Sequence, residues 1–536
     1  MNPFDQVVPL RREDIFHVQA AQSAMNRFAG IELPQNPWMA PNNFSSPHQD
    51  SWCSESVSLD GPTEKKLLLT EQWNPFGFTP IMVCNRQNQM IGVSLEYPNQ
   101  YWLVVFDEDC HILSATPAGK RTENTFGGGY FYLDNKDNSI IVQENRIVSY
   151  PTQDVRPKKD EIYPLEPNWT SADIIELVTG SPDGNSLYSC LPVWNAERPN
   201  LYWCLISGEY NYQDYPDSTL TSPAYMAVVE VVPEGDGDCR TALIDSLKLD
   251  RQWNNNTFAV DKSGAYIVTN GIDDNNQCNQ GYLWAFGLEG NKLIVRWKTA
   301  YENAGYQKPG QTNIGSGTTP TLTATEDGTE LVAITDNADP RLHVVVCNRR
   351  DGSLVAQVPC FEKMRSADEA SLIGVQDTFV AENNFGHYPT WPFSQYVPNS
   401  PGMEMIQVYP DHGNKRADEI WDQADVHFYA MSMLCRESGI IFAHTCDWTT
   451  DISATKGGMY YISALDSFNG RVIWRIPLGR GLNYCHEYGG IYFNHNGDLF
   501  MGTNQFLISI KNFHNRSKKM KEDMRKVGES TKPTYE

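Results

Sequence analysis

The sequence predicts an all-β fold, an eight-bladed β-propeller, with a seven-bladed ring as the alternative. Three observations carry this expectation. From about residue 66 onward, short alternating apolar runs are separated by turn residues. These runs group in fours, with innermost strands opening near Thr79, Gly129, Ser186, Asn256, Thr318, Ser371, Tyr429 and Gly490, a repeat of roughly 50 to 70 residues. Residues 459–478, MYYISALDSFNGRVIWRIPL, alternate through Leu465, turn across 467–470 and alternate again from Val472, which is the outer hairpin of one blade.

Taken in order, residues 12–30 carry Ile15, Phe16, Val18, Ala21, Met25 and Phe28 at helical spacing behind a charged RRED turn. That spacing predicts one amphipathic helix packed on the main domain. Residues 31–63, with Pro34, Pro37, Pro41 and Pro47, predict an extended arm lying over a surface. Residues 1–63 are thus an N-terminal attachment, 64–513 the propeller, and 514–536 a basic, flexible, solubilising tail. The eighth unit supplies only three strands before that tail. Residues 65–73, KKLLLTEQW, are expected to provide its outer strand and close the ring, because an open ring leaves two unpaired strand edges.

The wiring of a blade puts its first and third turns on one face of the disc and its other connections on the opposite face. The sequence treats the two sets differently. Tight turns fall at NKDN, DKSG, TEDGT, RRDG and NHNGD, whereas long connections fall near 207–222, 270–281, 386–402 and 445–458. Elaborated loops on one face of a rigid scaffold are where function is most often built.

Composition narrows the partners. Forty-two basic against 66 acidic residues give a formal net charge of -24, which repels nucleic acid and anionic membrane surfaces. The start of the chain has no apolar run of secretory length, and no stretch approaches the ~18 apolar residues of a membrane span. A soluble, cytoplasmic protein is expected. The twelve cysteines are scattered without a Cys-x-x-Cys pair, several of them inside apolar strands, as expected of buried thiols in a reducing compartment.

Candidate functional residues gather where the innermost strands begin, at the channel mouth on the long-connection face. His486 and Glu487 pair an imidazole that titrates near neutrality with a second ionisable group, and His387 in NNFGHYP is a further acid-base candidate. Trp253, Asn254, Asn255, Asn256, Thr318, Thr319 and Tyr488 are expected to bind a small polar substrate there, with His48 and Asp50 added by the arm. Asp336 and Asp339 in TDNADP offer carboxylate oxygens that suit Ca²⁺, or serve as Asx turns. Residues 315–319 lack the Lys and the following helix of a phosphate loop, and there is no Gly-x-Ser-x-Gly elbow.

Ala464, Asp466, Gly470 and Trp474 occupy an Ala-x-Asp-x-x-x-Gly-x-x-x-Trp pattern. In this the chain resembles the quinoprotein alcohol-dehydrogenase-like propellers, whose blades end in that pattern. The resemblance implies the architecture across 66–513. The pyrroloquinoline-quinone (PQQ) enzymes of that class also share two adjacent cysteines beneath the quinone, and this chain has no Cys-Cys pair. PQQ is therefore not expected, and no functional residue carries over by motif. Two functions remain open: an enzyme acting on a small organic molecule by His and carboxylate acid-base chemistry without an organic cofactor, or a noncatalytic propeller binding a protein or small ligand on the same face.

Overall fold

The computed structural model describes residues 11–513 apart from 121–129, 159–160, 182–183, 209, 212–218, 221, 236, 255, 274–276, 388–398, 411–415, 430, 449–455 and 487–488. Eight antiparallel sheets form the ring. Their innermost strands are Phe78–Cys84, Phe131–Leu133, Asn185–Pro192, Ala259–Asp261, Thr321–Ala324, Ile373–Val375, Met433–Cys435 and Tyr492–Phe493. Eight blades settle the blade number in favour of the larger ring. The only α-helix among the described residues is the single-turn Ile174–Thr179, capped by the Asp173 carboxylate on the Glu176 N–H.

The eighth blade is built from both ends of the chain. Lys66–Trp73 pairs antiparallel with Phe506–Asn512, from Leu67 opposite Asn512 to Trp73 opposite Phe506. This closure removes the two edges that an open ring would expose.

The expected helix over 12–30 is absent. Arg11–His17 is instead a fifth strand on the outside of the closing blade, pairing Arg11 with Gln72 and His17 with Lys66. The following segment stays against the ring through Val18 N–H to Lys65 O and Ala21 N–H to Thr63 O, both 2.9 Å. The reason is an available edge: Lys66–Trp73 presents a row of free N–H and C=O groups, and seven residues of strand pairing satisfy them. Ile15, 48% exposed, shows that the apolar spacing here does not report a buried helical face.

Residues 38–57 also differ from expectation, because they lie inside the ring rather than over a surface. Their carbonyls accept from inner strands around the channel: Asn135 N–H to Trp38 O, Leu133 to Ser45, Val260 to Ser51, Leu322 to Trp52, Gly374 to Ser54, Leu434 to Glu55 and Arg436 to Val57. Ser56–Val57 pairs in parallel with Met433–Cys435. The inward edge of each innermost strand would otherwise carry unpaired N–H groups, and this segment satisfies them at the tight-turn end of the channel. The Phe44 ring packs, tilted, against His495 of the eighth blade's tight turn at 4.0 Å, which fixes the segment to that face.

The blade-end pattern has a visible cause. Trp421, on the outer strand of the sixth blade, donates its indole N–H to the Ser467 carbonyl at 2.9 Å and lies over Gly470, where an added Cβ would come 2.6 Å from the ring. Trp297, on the outer strand of the fourth blade, repeats this against the fifth, donating to Arg349 O at 2.9 Å beside Gly352. Both glycines have positive φ, +69° and +74°, a conformation glycine adopts without the Cβ cost. Trp and Gly thus form a lock between consecutive blades. Trp474 faces the chain closure instead of a turn, and its indole nitrogen has no partner among the described residues.

Candidate functional site

The buried arm and the entries of the inner strands meet in the channel. His48, 2% exposed, hydrogen-bonds through Nδ1 to Glu55 Oε1, and its Nε2 lies 3.3 Å from Thr319 Oγ1. Seven residues separate His48 from Glu55, and the turn between them is tied by Asp50. Its carboxylate accepts from Trp52 N–H at 2.8 Å and from the Ser54 hydroxyl at 2.5 Å. Burial raises Asp50 from its ordinary range, opposed by Ser54 and by the charge of Arg436. Asp50 therefore shapes the arm that presents His48.

The Tyr130 ring stacks on His48 at 5.9 Å and meets Tyr188 at 5.8 Å. Its hydroxyl donates to Asn256 Oδ1, and Asn256 Nδ2 donates to Gly317 O. A run Thr319–His48–Glu55, backed by Tyr130 and Asn256, results. Because Glu55 takes the Nδ1 side, Nε2 is the nitrogen left to exchange a proton with the Thr319 hydroxyl. Hydroxyl, imidazole and carboxylate in this order are the groups that can serve as nucleophile, base and orienting group in acid-base chemistry.

Carboxylates surround this run. Burial pushes Glu369 up to about 7, held back by bonds from Thr312 and Gln311. Thr312 Oγ1 lies 2.7 Å from Glu369 Oε2 and is itself exposed, so Glu369 stands at the mouth. Burial likewise pushes Glu382 up to about 7, its Oε1 accepting Ser432 N–H at 2.6 Å. Asp368 is raised well above its ordinary value by burial and then by the Glu382 charge. Burial also raises Glu55, and His48 opposes the shift.

His486 and His387 belong to a different cluster, between the sixth, seventh and eighth blades. His486 Nδ1 accepts from Gly489 N–H at 3.0 Å and its Nε2 lies 3.1 Å from Gly490 O, so both ring nitrogens are held by backbone. Its ring stands 6.1 Å from that of His444, which stacks on Tyr460 at 5.2 Å. His387 packs 4.7 Å from Tyr429. Burial lowers His387 to about 4 and His486 to about 3, so both are neutral at pH 7.

Of the other sequence-derived candidates, Trp253 donates its indole N–H to Asn313 Oδ1 at 3.1 Å, and Asn254 Nδ2 bonds Asn256 O at 3.3 Å. Thr318 Oγ1 contacts Ser316 Oγ at 3.0 Å and accepts Thr335 N–H at 3.2 Å. Asn255, Glu487 and Tyr488 lie outside the described residues. Asp336 and Asp339 do not converge on a cation. Asp336 accepts from Ala338 and His343 N–H and meets His343 Nδ1 at 2.8 Å. Asp339 pairs with the buried Lys308 ammonium at 3.2 Å and accepts from Tyr306 at 2.8 Å. Asp336 closes its own loop, as Asx-type residues do, and Asp339 ties its loop to the Lys308 segment. Among the described residues no group of three or more His, Cys, Asp or Glu is arranged to hold a metal.

Glu55, Tyr130, Glu369 and Glu382 escaped the sequence reading. Glu369 had a usable signal: Asp368 and Glu369 precede the sixth inner strand as Thr318 and Thr319 precede the fifth.

No family model matches the chain, and no curated protein matches it. Solved structures do. The quinohemoprotein alcohol dehydrogenase from Comamonas testosteroni aligns over 88% of this chain and 81% of its own, at 9% identity and a TM-score of 0.51. The WD40 domain of SCAP from fission yeast aligns over 83% of this chain and 94% of its own, at 8% identity and a TM-score of 0.37. At these identities the likeness is one of fold. The alignment with the alcohol dehydrogenase supports the β-propeller fold, with no specific family assigned. No helix of the described residues is long and apolar enough to cross a membrane.

Proposed function

We propose that this chain is a propeller enzyme that acts on a small organic molecule in its central channel by histidine and carboxylate acid-base chemistry, without an organic redox cofactor. The observation that carries this reading is His48 between Thr319 and Glu55. Glu55 orients the imidazole, His48 Nε2 takes a proton from the Thr319 hydroxyl or from substrate held there, and Glu369 at the mouth is poised near neutrality to give or take a second proton. A cytoplasmic setting suits the cysteines, which are buried except for Cys239 and Cys278.

One observation favours the noncatalytic alternative: Thr319 is fully buried and His48 nearly so, so a substrate reaches them only when the mouth opens. Incubating the purified protein with mixtures of small polar metabolites and following them by proton NMR separates the two. Consumption of a compound by the wild type but not by a folded Thr319→Val variant supports the enzyme. No consumption by wild type, or equal consumption by the variant, counts against it.

A further inference from the structure

We propose that residues 306–314 are a strap that opens and closes the channel mouth, hinged at Gly305 and Gly315 and latched on Glu369. The proposal rests on reading the channel as the ligand site and says how that site is opened; it does not depend on turnover.

Thr319 and His48 are 0% and 2% exposed, so a segment must move before either meets a molecule from solution. The tight-turn end of the channel is closed by the arm, whose carbonyls at Ser45, Ser51, Trp52, Ser54 and Glu55 are bonded by inner-strand N–H groups. The strap stands at the other end. It leaves the outer strand of the fourth blade, Lys292–Glu302, and leads to the inner strand of the fifth, but between the two it reaches as far as the sixth. Lys308 Nζ donates to Ser366 O at 3.2 Å, Pro309 O accepts Gly386 N–H at 2.9 Å, and Gln311 and Thr312 donate to the two Glu369 oxygens at 3.2 and 2.7 Å. The strap therefore spans from the fourth blade to the sixth, across the entry that carries Thr319.

Its attachments suit a part that moves. Among the described residues 306–314, Ile314 is the one apolar side chain that is buried. The other ties are hydrogen bonds and the Lys308–Asp339 ion pair at 3.2 Å, and lids are drawn from segments with few buried apolar contacts. Both ends are glycines in the left-handed region, Gly305 at φ +76° and Gly315 at φ +86°, a conformation that glycine enters and leaves without the Cβ cost. Beyond Gly315 the chain is pinned without the strap: Ser316 N–H donates to Asn270 Oδ1 at 3.1 Å, Asn256 Nδ2 holds Gly317 O, and Thr335 N–H donates to Thr318 Oγ1 at 3.2 Å. Thr319 thus keeps its place beside His48 while the strap lifts. Lifting also frees both Glu369 oxygens, so the motion that admits a molecule presents it with the carboxylate at the mouth.

The test is thiol labelling of the full-length Thr319→Cys protein with methyl methanethiosulfonate, read residue by residue by peptide mass mapping. Two native cysteines calibrate it: Cys204, 0% exposed in the core of the third blade, reports global unfolding, and the partly exposed Cys239 reports the reagent. The introduced thiol should react at least tenfold more slowly than Cys239 while the strap is intact. Adding Lys308→Met and Thr312→Val should speed it at least tenfold and leave Cys204 unchanged. The proposal is overturned if the introduced thiol matches Cys239 with the strap intact, if the strap substitutions do not change its rate, or if it speeds up only in step with Cys204. Hydrogen exchange gives a second reading with Thr319 in place. Gly386 N–H, held by Pro309 O, should exchange at least tenfold faster in Lys308→Met/Thr312→Val, while Leu322 N–H, held by the arm, is unchanged; an unchanged Gly386 overturns the proposal. Strap-dependent labelling without turnover by the wild type supports the strap and counts against the enzymatic reading, whereas turnover together with strap-independent labelling removes the strap alone.

Discussion

His48 Nε2 lies 3.3 Å from Thr319 Oγ1, although 271 residues separate the two. One comes from the N-terminal arm and the other from the entry of the fifth inner strand. The arm does two jobs through one path: its carbonyls satisfy inner-strand N–H groups from the second blade to the seventh, and its His48 and Glu55 furnish the channel with an oriented imidazole.

The first prediction concerns that path. Deleting residues 1–19 removes, of the described structure, the outer fifth strand of the closing blade and should leave a cooperatively folded ring. Deleting 1–57 strips the inner strands of the acceptors for Val260, Leu322, Gly374, Leu434 and Arg436, and at about 1 kcal/mol per lost hydrogen bond should abolish cooperative unfolding. Circular dichroism melts of the two truncations check this; a well-folded 58–536 chain would show the arm to be dispensable.

The second concerns pH. Glu369 and Glu382 have folded values raised to about 7 by burial, so the stability linked to their protonation is present at acid pH and lost as pH rises through about 7. Each contributes on the order of 3 kcal/mol across that range. His387 and His486 have folded values lowered to about 4 and about 3, so their contribution is present above about 6.5 and lost as pH falls through those values. Thermal melts should therefore show a broad maximum between about pH 4.5 and 6.5, where the two effects oppose each other, and a fall as pH rises through about 7, the fall being shallower in Glu382→Gln. A midpoint that does not fall between about pH 6 and pH 8 would contradict the assignment.

The third concerns the blade lock. Gly470→Ala forces a Cβ into a positive-φ position 2.6 Å from Trp421 and should cost about 2 to 4 kcal/mol. Trp421→Phe loses an indole bond to Ser467 O, adding about 1 kcal/mol to the change in packing. Trp474→Phe loses no such bond to a described residue and should be the milder of the two. Denaturant titration of the three variants ranks them; equal costs for the two tryptophans would remove the lock.

The ring was legible because each blade repeats a local pattern: alternation, a turn, and in the seventh blade Gly470 ahead of Trp474. The chain closure was legible for the same reason, since three strands demand a fourth. What lies before Lys66 was not. Ile15 and Phe16 fit a helix as well as a strand, and only the distant edge at Lys66–Trp73 decides between them. Ser45 to Ser56 reads as a polar surface stretch, because a sequence does not show that a ring of unpaired N–H groups awaits its carbonyls. The same long-range pairing hid the site. Asn256, Thr319 and His48 were each visible as candidates by position, but their meeting with Glu55 and Tyr130 depends on the arm's path. His486 drew attention through its neighbour Glu487, whereas its nitrogens are held by Gly489 and Gly490.

The most direct measurement is kcat/KM for His48→Gln against wild type on any compound the wild type consumes, with unfolding midpoints taken on the same preparations. Loss of the imidazole should lower kcat/KM by at least about 100-fold while the variant still melts cooperatively, and Glu55→Gln should fall between the two. A folded His48→Gln protein that retains wild-type kcat/KM would contradict the role given to His48.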